Sequence, residues 1–170
     1  SAAQGPRENA LYNDLFKIYP DEDMPASLQD KINIIRSYAT PQHLTMIYIY
    51  AHGEPEGFEL GVDNFYPYKD LLAGLERIKG KKLIVMCSCF SGALIEQVKQ
   101  LPDQEDYAVI TSTSNDELGM NWNDDIFLEM IEALFVRKML LSKIKLGNYE
   151  IKNAPSGQKP KIFCGYSMEL

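Results

Sequence analysis

Between Lys82 and Leu94 the chain passes in one step from an unbroken apolar run to small, reactive residues and then to helical spacing. Leu83-Ile84-Val85-Met86 is apolar at every position, so it lacks the alternation of a strand with one wet face and fits a strand buried on both. Cys87-Ser88-Cys89-Phe90-Ser91-Gly92 follows, and Leu94, Ile95 and Val98 then share one helix face. A doubly buried strand that feeds a helix is the βα unit of a parallel sheet. It delivers cysteine to the carboxyl edge of that sheet, where ligands bind. Taken alone, a free cysteine there is most often a small core hydrophobe. The other reading is a nucleophile whose thiolate is favoured beside a helix N-terminus.

A second strand weighs on that choice. Thr45-Met46-Ile47-Tyr48-Ile49-Tyr50-Ala51 ends in His52-Gly53 and a loop, Glu54-Pro55-Glu56-Gly57. Two strands joined through a helix pack as parallel neighbours, which brings His52 and Cys89 to one edge. A thiol beside an imidazole is the layout of a cysteine nucleophile with a histidine base. Gly53 leaves backbone room and an N–H group for a developing oxyanion.

These strand ends resemble the caspase–legumain clan of cysteine peptidases, with His-Gly after one core strand and Cys-x-Ser-Gly after the next. The likeness to legumain and its bacterial relatives covers roughly residues 45–135. It runs through Gly57-Phe58-Glu59-Leu60 and through Tyr107-Ala108-Val109-Ile110-Thr111-Ser112-Thr113-Ser114-Asn115. The resemblance implies an α/β fold, the caspase-like three-layer sandwich with a mostly parallel sheet and helices on both faces. It implies a cysteine endopeptidase acting on protein or peptide substrates through a Cys/His dyad, with no metal and no organic cofactor.

The motif registers the nucleophile on Cys89, with His52 as its partner and the N–H groups of Gly53 and Cys89 holding the oxyanion. Cys87 becomes a wall of the specificity pocket, which Ser114, Asp116 and Glu117 line from the loop after the third strand. Asp116 or Glu117 then favours a basic substrate residue. A solvated loop with a turn at Asn115-Asp116 is the plainer reading of that stretch. Legumain and metacaspases carry an acidic residue where this chain has Cys87, and legumain an aspartate-type residue where it has Ala51. The clan's first strand would precede residue 7, and no apolar strand stands there. With Ser1 in place of methionine, three readings stay open: the strand lies upstream of this sequence, this member lacks it, or an N-terminal piece was cleaved off. Caspases dimerise through their last strand, which implies a homodimer through residues 161–166.

Composition narrows the alternatives. The chain of 170 residues is long enough for one domain with a sizeable core. A formal charge of −7 disfavours a nucleic-acid partner, which needs a basic footprint. No apolar run approaches the ~20 residues of a membrane span, and no signal peptide is visible. Three cysteines, Cys87, Cys89 and Cys164, are too few for a disulfide framework and fit a reducing, cytoplasmic setting. One Cys-x-Cys and two histidines make poor zinc-site material.

Elsewhere, spacing predicts helices over 7–19, from a Ser27 cap to 37, over 68–78 and over 92–101, and a long one to 143 with Ile126, Phe127, Met130 and Ile131. An acidic turn falls at 21–23, a hairpin at 57–66, a polar loop with Trp122 at 114–123 and a turn-rich stretch at 147–160. Strands fall at 107–113 and 161–166, with Cys164 expected in the core. His43, at the start of the histidine strand, reads as a surface or packing residue. Ser91 shapes the turn, since a serine nucleophile would face the wrong strand end. Two further readings stay open. One is an inactive scaffold that keeps the fold and the motif. The other is an unrelated doubly wound binding protein, against which stands the lack of any glycine-rich phosphate loop.

Overall fold

The computed structural model describes residues 24–119 and 159–165. The sequence expectations for 7–19, 21–23, 120–123, the long helix to 143 and most of 147–160 lie outside the described residues.

Helix α1 spans Met24–Tyr38. It begins three residues before the expected cap, because Pro25 fits a first helical turn, where no intrahelical N–H is needed. Ser27 is therefore inside the helix, and its hydroxyl accepts a hydrogen bond from Lys31 Nζ. Strand β1 is Leu44–Tyr50. A small antiparallel sheet follows, with β2 at Gly53–Glu54, β3 at Gly57–Glu59 and β4 at Phe65–Pro67. It starts earlier than the expected hairpin and takes in Gly53 directly after the histidine. Helix α2, Tyr68–Glu76, leaves β4 through Pro67. Strand β5 is Lys81–Cys87, helix α3 is Gly92–Val98, and strand β6 is Tyr107–Thr111. Strand β7, Lys161–Cys164, closes the described chain.

The main sheet has the order β1-β5-β6-β7. Strands β1, β5 and β6 are parallel neighbours, as helical connections require, and β7 runs antiparallel to β6 at the sheet's edge among the described residues. The alternation of side chains then assigns two faces. Ile84, Met86 and Val109 join one apolar cluster with Leu28 and Ile32 of α1, Leu71 and Leu75 of α2, and Leu94 and Val98 of α3. All three described helices thus share one face. Leu71, Leu75 and Leu94 are fully buried, and each such side chain contributes roughly 1.5–3 kcal/mol. Leu83, Val85 and Ile110 point the other way and are fully buried too.

Two side chains depart from expectation. Cys164 is half-exposed rather than core, because an edge strand has a neighbour on one side only. Lys82 is only 2% exposed. Its ammonium lies 5.0 Å from the centre of the Tyr107 ring, a cation–π contact that offsets part of the cost of burial. Burial pulls the Lys82 ammonium below its ordinary value, while Asp106 and Asp103 oppose that shift. His43 is exposed, its Nδ1 accepts from the Thr40 N–H at 2.8 Å, and its ring meets Tyr38 edge-on. This is a packing role at the strand's start.

Candidate active site

The carboxyl ends of β1 and β5 build the site by register. Leu44 pairs with Lys81 and Tyr50 with Cys87, and the Ala51 N–H continues the ladder to the Cys87 carbonyl at 3.1 Å. Two residues past the last pair, the same offset would bring His52 level with Cys89. His52 is exposed, and among the described residues its ring makes no hydrogen bond. Its carbonyl accepts from the Glu59 N–H at 2.9 Å, so His52 and Glu59 form a hydrogen-bonded antiparallel pair. Gly53 opposes Phe58 in the next pair, the non-bonded kind, whose N–H groups point away from the partner strand. The Gly53 N–H is thereby turned out of the hairpin.

Gly53 also lies hard against the cysteine turn. A Cβ at this position would come within 2.5 Å of the Cys89 carbonyl oxygen and 2.6 Å of Ser88 Oγ. Only glycine permits that approach. The structure therefore brings Gly53 against the Cys89 turn, with His52 the residue before it at the end of β1.

Cys89 is partly exposed, one residue past the strand and its following serine. Its Sγ receives the Gly119 N–H at 3.2 Å, with the Gly119 carbonyl further off at 3.8 Å. Among the described residues the Cys89 N–H itself is unbonded. Phe90 has φ +56°, a left-handed conformation that costs a non-glycine residue about 1–2 kcal/mol. The 2.7 Å bond from its N–H to the Glu117 carbonyl holds it there. Strain of this kind is common where a turn must aim a reactive side chain.

Beneath the thiol lies a buried hydroxyl network. Ser91 Oγ contacts Thr113 Oγ1 at 3.0 Å and accepts from the Thr113 N–H, while Thr113 Oγ1 accepts from the Ser91 N–H. Thr113 and Ser112 hydroxyls both donate to the Ser88 carbonyl. Gly92 fits tightly against the β6 loop, since a Cβ there would lie 2.6 Å from the Asn115 nitrogen. Ser91 thus shapes the turn, as its position suggested.

The expected pocket residues take different parts. Cys87 is 3% exposed and shares the sheet face of Leu83 and Val85. Ser114 is buried, and its hydroxyl reaches both Asp116 and Glu117. The Glu117 carboxylate accepts from the Ser114 N–H at 3.0 Å and the Lys159 N–H at 2.9 Å. Partial burial tends to raise the Glu117 carboxyl, but these donors outweigh it and hold the group below its ordinary value. That carboxylate clamps the loop. Asp116 is exposed, and the Ser114 hydroxyl holds its carboxyl low. Asn115-Asp116 does form a turn.

Sequence reasoning missed Tyr68, Ser88, Ser112, Thr113 and Gly119. Tyr68 and Ser88 hydroxyls are buried on the helix side of the thiol, and neither has a hydrogen-bond partner among the described residues. Burial pushes the Tyr68 hydroxyl up; nearby Ser88 offsets part of this, and charge on Cys89 adds to it. The hydroxyl run at 111–114 was a visible signal, because four such residues close an apolar strand. Gly119 acts through its backbone from 30 residues away, which no side-chain pattern records. Among the described residues no group of three or more His, Cys, Asp or Glu could hold a metal ion. No model of a known protein family matches the chain, and no curated protein matches it.

Proposed function

We propose that this chain is a cysteine endopeptidase of the caspase–legumain type. The observation that carries the reading is the packing of Gly53, the residue after His52, on the cysteine turn, where the parallel strands β1 and β5 end on one edge. In this mechanism the Cys89 thiol proton passes to His52, and Sγ attacks the scissile carbonyl carbon. The N–H groups of Gly53 and Cys89 hold the oxyanion. The C–N bond breaks, His52 protonates the leaving amine, and a thioester remains. Water, deprotonated by His52, attacks the thioester and releases the acid and the thiol.

The finer fold is the caspase-like sandwich with helices on both faces, working in a reducing, cytoplasmic setting that keeps the thiol free. No described helix is long and apolar enough to cross a membrane. Cys87, Ser114 and Asp116 line the specificity pocket. With Glu117 engaged by the loop, Asp116 is the remaining charge that favours a basic substrate residue; a library preference for aspartate overturns that. The edge strand β7 pairs with its copy in a homodimer, and sedimentation showing only monomer at high concentration removes this proposal.

Peptide-library cleavage with Cys89→Ala, His52→Ala and Cys87→Ala tests the activity. The first two abolish turnover while the protein stays folded, and the third leaves it measurable. Full activity in Cys89→Ala defeats the assignment. One observation favours the scaffold reading: no described group orients the His52 ring, whereas a catalytic base is usually held by a third residue. No cleavage of any library peptide by the native chain decides for the scaffold.

A further inference from the structure

We propose that the backbone N–H of Gly119 is a catalytic group of this site, the donor that holds the Cys89 sulfur as thiolate before substrate is attacked. The inference rests on the reading of Cys89 as nucleophile. Its geometry is two-sided. The Gly119 N–H lies 3.2 Å from Sγ, within hydrogen-bond reach of sulfur, whereas the Gly119 carbonyl is at 3.8 Å. A neutral thiol gains from the carbonyl, to which it donates; a thiolate gains from the N–H, which it accepts. The close partner is the one that suits the anion, and a donor to an ionised acceptor is roughly twice as strong as to a neutral one.

Two anchors hold the donor in place. The Glu117 carbonyl receives the Phe90 N–H at 2.7 Å, one residue past the nucleophile. The Glu117 carboxylate is gripped by the Ser114 N–H and Oγ and by the Lys159 N–H. The loop is therefore tied on both sides two residues before Gly119, and the strained Phe90 is part of the same tie. A preorganised donor stabilises charge without having to rearrange when that charge forms.

Glycine is not demanded at 119 by lack of space on the cysteine side. Among the described residues other than its chain neighbours, a Cβ there would come no closer than 3.5 Å to any atom, including the Cys89 nitrogen. What position 119 must supply is an N–H, and only proline cannot. The titratable groups around the sulfur are His52 at the end of β1, Cys87 on β5, Tyr68 of α2, and Asp116 and Glu117 of the β6 loop. Neither the His52 ring nor the Tyr68 hydroxyl donates to Sγ among the described residues.

The test is the pH dependence of iodoacetamide alkylation at Cys89, read by peptide mapping on the full chain. It compares the native protein with Gly119→Ala and Gly119→Pro. The alanine variant keeps the N–H and tracks the native curve. In the proline variant alkylation at neutral pH falls about tenfold, as loss of a hydrogen bond to a charged group implies, and the rates converge at high pH where every thiol is ionised. A folded Gly119→Pro that alkylates as fast as native, or faster, overturns the inference and leaves the loop as a mere cover. If the proline variant does not fold, the Gly119 amide proton of the native chain, followed by NMR, carries the test. It shifts downfield through the pH midpoint of Cys89 reactivity, and an amide that stays fixed through that midpoint overturns the inference. Alkylation does not need turnover, so the two ideas fail separately. Peptide cleavage without the Gly119 effect removes this inference alone, and the Gly119 effect without any cleavage removes the peptidase reading alone.

Discussion

The two banks of the site are built differently. On the cysteine bank, β5 is buried along six of its seven residues. Ser88, Ser91, Ser112 and Thr113 lie at most 6% exposed, joined by hydrogen bonds between two stretches of chain, 88–91 and 112–113. On the histidine bank, β1 is the sheet's other edge among the described residues. Tyr50 is 68% exposed, and His52 rests on backbone pairing with a strand of three residues. The thiol's position is over-determined, while the residue carrying the imidazole is held by one backbone hydrogen bond, from the Glu59 N–H to its carbonyl. A nucleophile must meet its target within a fraction of an ångström. A proton carrier can be placed by its own rotation.

The largest expected effects come from filling the two close approaches. Gly92→Ala drives a Cβ into backbone at Ser114 and Asn115, and should cost about 3 kcal/mol, at the upper end of overpacking penalties. Gly53→Ala meets the Cys89 carbonyl and Ser88, yet the small hairpin can give way. Its stability loss should be about 1 kcal/mol, with turnover falling far more than stability. Urea melts paired with peptide cleavage check both. Equal stability losses in the two variants would erase the contrast between the banks.

Next in size is Ser91→Ala. It strips the partner from the buried Thr113 N–H, so a loss of about 1–3 kcal/mol is expected in the same melts. The matching change on the other bank, His52→Ala, should stay within about 0.5 kcal/mol, as for exposed sites without such features.

The pH responses are smaller and have opposite signs. Glu117 and Asp116 titrate below their ordinary values of 4.5 and 3.8 in the folded chain. Their stabilising contribution is present above those values and is lost as pH falls through the lower folded ones. Glu117→Gln should flatten the acid limb of a thermal-stability profile, and an unchanged limb would remove the clamp from that carboxylate. Tyr68 and Tyr107 are raised by burial above the ordinary 10.0. Their contribution is full below pH 10.0 and is lost as pH rises through the folded values. Tyr68→Phe should reduce that alkaline loss, while its melt at pH 7 stays within about 1 kcal/mol because the hydroxyl has no partner to lose.

The strand ends were legible because their chemistry is local. An apolar run with no polar alternation must be buried on both faces, and helical connections make such strands parallel neighbours. That placed His52 and Cys89 on one edge without any structure. The boundaries shifted by one to four residues where capping decides them, as at Pro25 of α1. The clamp made by Glu117 was not legible, because one of its partners, the Lys159 N–H, arrives from 42 residues away.

The sequence by itself determined the parallel βα order, the net acidic charge and the arrival of His52 and Cys89 at the sheet's carboxyl edge. These follow from periodicity, composition and strand direction, each of which a short window carries. Only the tertiary structure decided that Gly119 faces the sulfur, that Phe90 is held left-handed, and that Cys164 is half-exposed. Those depend on backbone groups and on how many neighbours a strand has. Backbone N–H groups are the same in every residue but proline, so the sequence cannot mark which of them will meet the thiol.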